Sequence, residues 1–170
     1  MKKMIYVVLT IIFIVAVYYF YPEKKLPKEK IIDKIEVFKS KREMLVYSEG
    51  RLLKTYKISL GKKPIGHKEF EGDFKTPEGI YEINAKNPNS GYHKNLGISY
   101  PNEKDKEHAK ALGKSPGSDI KIHGIRNGSG YISKFQRWKD WTAGCIAVTN
   151  EEVDELYDRV KIGAKIEIKQ

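Results

Sequence analysis

Residues Met4 to Tyr21 form a run of 18 residues without a charge, MIYVVLTIIFIVAVYYFY, in which Thr10 and the tyrosines are the only polar members. As a helix rising 1.5 Å per residue it is roughly 27 Å long, close to the hydrocarbon thickness of a bilayer. The chain is therefore expected to divide into a membrane segment over 1–21, a short tether over 22–30 rich in Pro and Lys, and one folded domain over 31–170. Lys2 and Lys3 precede the run, and Tyr18, Tyr19 and Tyr21 gather at its far end as an interfacial belt would. The run is longer than a usual signal-peptide core and no small-x-small cleavage site follows before Pro22, so an uncleaved anchor is favoured over a cleaved signal. Lys24, Lys25, Lys28 and Lys30 lie just beyond it, and by the positive-inside rule alone they would keep the body in the cytoplasm.

The body reads as mainly β. Ile31–Lys39, Met44–Tyr47, Leu52–Leu60, Ile80–Ile83, Ile120–Ile122 and Lys165–Ile168 are strand candidates, and Ser48-Glu49-Gly50-Arg51 has the composition of a hairpin turn. Glycines punctuate the stretches between them. One helix is well specified. Thr149 and Glu152 have capping-box spacing, and Val153, Leu156, Tyr157 and Val160 form one apolar face that Gly163 should end. A weaker helix is expected over Glu103–Leu112.

The formal charge of +10 implies attraction to polyanions without choosing among nucleic acid, anionic lipid and anionic wall polymer. No basic–aromatic strand pattern or nucleic-acid motif accompanies it, so nucleic acid is not expected as a partner. A single cysteine rules out a disulfide framework within the chain. The four histidines are scattered and no HExxH or CxxC is present, so neither a metal nor another cofactor is expected.

Two pieces can carry chemistry. Ile120–Gly124 is a strand that delivers His123 at its end, followed by a glycine that permits close approach. Trp141–Thr149 places Cys145 on a Gly-Cys turn ahead of a short apolar strand. A cysteine attacks carbonyls as the thiolate, and a nearby histidine can take its proton and return it to a leaving amine. The N–H of Cys145, with that of Gly144 or Ala143, would be the natural oxyanion hole. Taken singly, each residue also fits a bland role: Cys145 as a small buried hydrophobe, His123 as a satisfied core histidine.

Taken together, His123-Gly124 and Thr142-Ala143-Gly144-Cys145 resemble the signature of the L,D-transpeptidase catalytic domain (YkuD type). Glu71–Tyr81, Asn95–Asn102 and Pro116–Gly124 match further blocks of that family, in particular its murein transpeptidase-like branch, and the resemblance spans roughly residues 33 to 168. It implies a β-sandwich-like domain with one or two packed helices. It also implies an acyl-enzyme on Cys145, made by cutting the peptidoglycan stem tetrapeptide after its diamino acid, with His123 as base and a carbonyl near Gly124 holding the imidazole. An amine on another stem, or on a protein, would accept the acyl group, giving a 3-3 cross-link or an attachment. Water as acceptor would make the domain a carboxypeptidase or murein peptide hydrolase, and a non-catalytic wall-tethering module is the remaining alternative. A wall substrate requires the body to face the periplasm or cell exterior from the cytoplasmic membrane, against the lysine count.

Many relatives carry Ser-x-Gly-Cys-x-Arg, whereas this chain has Thr142 and, at the arginine position, Ala147. Arg126 and Arg137 are the candidates to compensate. His93, Thr142, Ala143, Arg126 and Trp141 are the expected substrate-binding residues. Trp138 suits a pocket wall or a core equally, Lys75 suits a structural role, and His67 and His108 are expected on the surface.

Overall fold

A computed structural model describes residues 1–27 and 29–170; Lys28, counted above among the tether lysines, lies outside them. Alternation of apolar and charged residues along the body resolves into eight strands: β1 Ile32–Phe38, β2 Glu43–Ser48, β3 Arg51–Lys57, β4 Gly79–Ser90, β5 His93–Ile98, β6 Lys121–His123, β7 Ile146–Ala147 and β8 Val160–Lys169. In β8, Val160, Ala164, Ile166 and Ile168 are buried while the intervening lysines and Glu167 face outward or sideways, the period of two that a sheet with one covered face demands. Glu49 and Gly50, at φ 50° and 76°, make the two-residue turn that joins β2 to β3.

The strands form one sheet in the order β3-β2-β1-β8-β4-β5-β6-β7. β4 belongs to both halves: Gly79–Glu82 pairs with β8, and Ile83–Ser90 pairs with β5. The sheet curls as a half-barrel until its far ends meet. Beyond β3, Ser59 and Ala147 exchange backbone hydrogen bonds of 2.8 and 2.9 Å, and Thr142 is joined to Leu60 and Lys62 in the same way. The mainly β expectation stands, with the two halves of the sandwich built from one continuous sheet. The core cluster runs through it from Ile32 and Ile35 to Ile122, Ile146 and Leu156.

Among the described residues three α-helices accompany the sheet: α1 Lys2–Phe20, α2 Glu103–Ala111 and α3 Asn150–Arg159. The capping box of α3 is present, with the Thr149 hydroxyl accepting from Glu152 N–H and the Glu152 carboxylate accepting from Thr149 N–H. Its C-terminus is not where the sequence put it. Val160 already opens β8, and Gly163, at φ 81°, instead lies in a bulge where five steps along β8 oppose two along β1. α2 is capped by Asn102 and Asp105 in the same reciprocal manner.

Two elements were not foreseen. β5 has the composition His-Lys-Asn-Leu-Gly-Ile, poor in β-formers, and is a strand because β4 and β6 pair with it on either side. Gly130–Trp138 is a 3-10 segment with a break at Ser133, which takes φ 43° and ψ −123°.

α1 is long and apolar enough to cross a membrane, with mean hydropathy 2.2 and none of its residues buried by the body. The tether leaves it and lies on the body: Leu26 is buried in the core cluster and its N–H donates to Glu155.

Candidate active site

The two ends of the curled sheet meet at a groove of about 560 Å³ that contains both Cys145 and His123. Its other walls include Tyr92, Asn95, Trp141, Thr142 and Ala143, with Lys62 and Lys121 as its cations and Asp119 at one side. β6 and β7 run parallel, with Ile122 beside Ile146 and His123 beside Ala147, so Cys145, just ahead of β7, falls level with Lys121, two residues before His123.

Cys145 is held from below. Thr142 Oγ donates to the Cys145 carbonyl at 2.7 Å and accepts from Gly144 N–H at 3.1 Å, closing the turn around the cysteine. Gly144 sits at φ 141°, and a Cβ there would lie 2.7 Å from the Lys75 carbonyl oxygen. No side chain fits. That carbonyl belongs to a braced loop. The Asp73 carboxylate accepts from the N–H groups of Glu69, Phe70 and Lys75 and from the buried Lys68 ammonium, while Thr76 Oγ accepts from Gly61 N–H. The Glu71–Tyr81 block thus meets the cysteine turn as a backbone support. The Lys75 ammonium turns away to Glu69, 2.6 Å distant.

The imidazole of His123 is 5% exposed. Its Nδ1 is 2.6 Å from the Gly124 carbonyl oxygen, an acceptor only, so Nδ1 carries the proton and Nε2 holds the free lone pair in the neutral ring. Tyr92 and Trp141 flank it, with ring centroids at 4.7 and 5.6 Å. Gly124 is required by close packing, since a Cβ would fall 2.7 Å from Asn150 Oδ1 and 3.0 Å from Val153 at the start of α3.

Burial pushes the Cys145 thiol up, opposed by the backbone and the charge of Lys121. Burial pushes His123 down, opposed by the Gly124 carbonyl, with Lys121 adding to the fall. Both directions favour a neutral thiol and a neutral imidazole in the groove. The thiol itself points to the Asp119 carbonyl oxygen, 3.6 Å away.

Not every residue singled out by the sequence reaches the groove. His93 faces α3, where its Nε2 lies 2.9 Å from Asp154. Arg126 is exposed on a separate depression behind Trp141. Arg137 pairs with Glu23 and Glu152 at 2.8 and 2.7 Å, and neither arginine lines the groove. Ala147, at the arginine position, is fully buried and bonded to Ser59 through its backbone. Trp138 stacks on Tyr18 of α1 rather than on the groove. His67 is half-buried between Glu78 N–H and Asp105, not a free surface residue. Conversely Lys121, two residues before His123 on a strand and hence on its face, was legible from alternation alone. Asn95 and Tyr92 were not, because only the pairing of β5 with β6 sets Asn95 opposite His123.

Residues 32–168 match the model of the L,D-transpeptidase catalytic domain (YkuD). The chain belongs to the L,D-transpeptidase catalytic domain family. The chain is 32% identical over 132 residues to YafK of Escherichia coli (strain K12), a candidate L,D-transpeptidase by name, covering 74% of this chain and 46% of that protein. Among solved structures it is similar to the helical cell shape determining protein Pgp2 of Campylobacter jejuni, at 26% identity and TM-score 0.62, covering 90% of this chain and 53% of that one. An L,D-transpeptidase from Mycobacterium smegmatis shares the fold alone, at 17% identity and TM-score 0.55, over 80% of this chain and 58% of that one. The chain thus spans about half the length of the first two relatives.

Proposed function

We propose that this chain is a membrane-anchored, cysteine-dependent L,D-transpeptidase that works on peptidoglycan stem tetrapeptides, with 1–21 as anchor, 22–30 as tether and 31–170 as catalytic domain. The observation that carries the reading is the tautomer of His123. With Nδ1–H committed to the Gly124 carbonyl, Nε2 is the nitrogen left to accept a proton in the groove that also holds Cys145.

In this mechanism the thiol proton passes to His123 Nε2 as sulfur attacks the carbonyl carbon between the diamino acid and the terminal D-alanine. The oxyanion is met by the N–H groups of Cys145 and Ala143, because that of Gly144 is already given to Thr142. Collapse breaks the C–N bond, the imidazolium returns the proton to the departing amine, and a thioester remains. An acceptor amine then attacks the thioester, giving a proton to Nε2, and the thiolate leaves to be reprotonated. Trp141 and Tyr92 shape the wall next to the base, and no cofactor enters the scheme. A catalytic domain acting on wall peptides faces the periplasm or cell exterior. The wall and, as an alternative acyl acceptor, a protein amine are its partners.

The experiment is mass spectrometry of purified tetrapeptide muropeptides incubated with the full chain in detergent micelles, beside Cys145→Ala. A cysteine-dependent dimer lacking one D-alanine is expected. A shortened monomer instead would mean that water is the acceptor and the domain a hydrolase, an outcome that Ala147 in place of a groove arginine makes worth measuring. Turnover unchanged in Cys145→Ala would sink the reading.

A further inference from the structure

The anchor and the body touch at one level of the anchor, its last turn. Tyr18 stacks on Phe135 and Trp138 with centroids at 6.0 and 5.8 Å, and Tyr19 stacks on Phe135 at 5.3 Å. The two hydroxyls donate to the carbonyls of Lys134 and Tyr131 in the 3-10 segment. In return the buried Lys134 ammonium donates to the carbonyls of Tyr18 and Tyr21, two of the orphan acceptors at a helix C-terminus. Arg137 and Lys134 both reach Glu23, the second residue after Tyr21. This clamp joins the 3-10 segment to α1 within about 5 Å of the helix end at the ordinary rise per residue.

Depth follows from the clamp. If the last turn of α1 lies where hydrocarbon gives way to headgroups, Gly130–Trp138 lies there too. The side chains this segment leaves uncovered are of the type that layer takes. Trp138 is 66% and Tyr131 75% exposed, continuous with Phe20 at 78% on the anchor itself. Lys139, Lys24 and Lys25 are exposed beside them, and their charge suits anionic headgroups. A large aromatic surface continuous with a membrane helix and rimmed by lysines is better covered by lipid than by water.

We infer that the face of the 3-10 segment around Tyr131 and Trp138 is a lipid-docking surface, seated in the headgroup layer of the bilayer that holds α1. The body then meets the membrane at two places, through its anchor and through its own surface. This rests on the reading of α1 as a membrane span, and the test separates the two.

The full chain is reconstituted into vesicles of phosphatidylcholine and phosphatidylglycerol, with or without lipids brominated high on the acyl chain, and floated. Tryptophan emission is compared between the wild type and Trp138→Phe, in which Trp141 in the groove is the sole reporter. The expected result is quenching of the wild type by brominated lipid that is lost in Trp138→Phe. Flotation with no Trp138-dependent quenching would overturn the docking surface while leaving the anchor intact. Trp138 shielded from both brominated lipid and acrylamide would overturn it in favour of a protein partner on the same face. Failure to float would remove the anchor reading and the docking surface with it.

Discussion

Gly144 and Lys121 carry the consequences that can be drawn for single residues. A side chain at 144 meets the Lys75 carbonyl and a backbone conformation that L-residues rarely hold. Gly144→Ala should therefore cost about 1–3 kcal/mol in a thermal melt and displace the cysteine it precedes, so that thiol labelling and turnover fall together. Because burial holds the Cys145 thiol up and His123 down, labelling by iodoacetamide should keep climbing with pH past the point where an exposed cysteine has levelled off. A resting thiolate–imidazolium pair would instead give a plateau reaching to mildly acid pH, and finding it would refute the neutral pair. Lys121 favours the thiolate by its charge and disfavours protonated His123. Lys121→Met should thus raise the thiol further and slow labelling at neutral pH, while raising the imidazole.

Among the elements, the loop from Lys68 to Thr76 is the one on which the site leans. Burial alone would raise the Asp73 carboxyl, but Lys68 and three backbone N–H groups together hold it below the ordinary carboxylate value. Its stabilising contribution is accordingly whole above that ordinary value and is lost as pH falls through the depressed one. Asp73→Ala leaves the Lys68 ammonium buried without its carboxylate and should cost about 3 kcal/mol in denaturant unfolding. A loss below about 1 kcal/mol would show the brace to be dispensable. This loop also marks how far the sequence can be read. Strands with clean alternation, such as β1, β2 and the end of β8, and the capped α3 are legible because their signals are local. β5 and the second half of β4 are not, since Asn87, Asn95 and Gly97 are poor β-formers that become strand residues by pairing across their own hairpin and, for β5, with the distant β6. The same limit applies to the groove. His123 and Cys145 announce themselves by chemistry, whereas Tyr92 arrives through a register that no local pattern encodes, and Arg137 looked available until Glu23 and Glu152 proved to hold it.

The whole molecule is a curled sheet, closed by the 58–62 segment, with a tether laid along its surface. Leu26 is the pin of that tether, and Glu155, which accepts its N–H, also takes the Lys54 ammonium and the Tyr56 hydroxyl. Leu26→Glu should free the tether and speed trypsin cleavage after Lys24 and Lys25, with the body melting as a unit afterwards. Unchanged cleavage would mean that the tether is held chiefly by Arg137 and Glu23. A pinned spacer has little slack to pay out, so the groove cannot swing through the volume that a free linker of the same length would sweep. On the proposed reading of anchor and catalytic domain, the groove would serve only the stratum of wall nearest the bilayer, as a plough cuts only at the depth to which it is set.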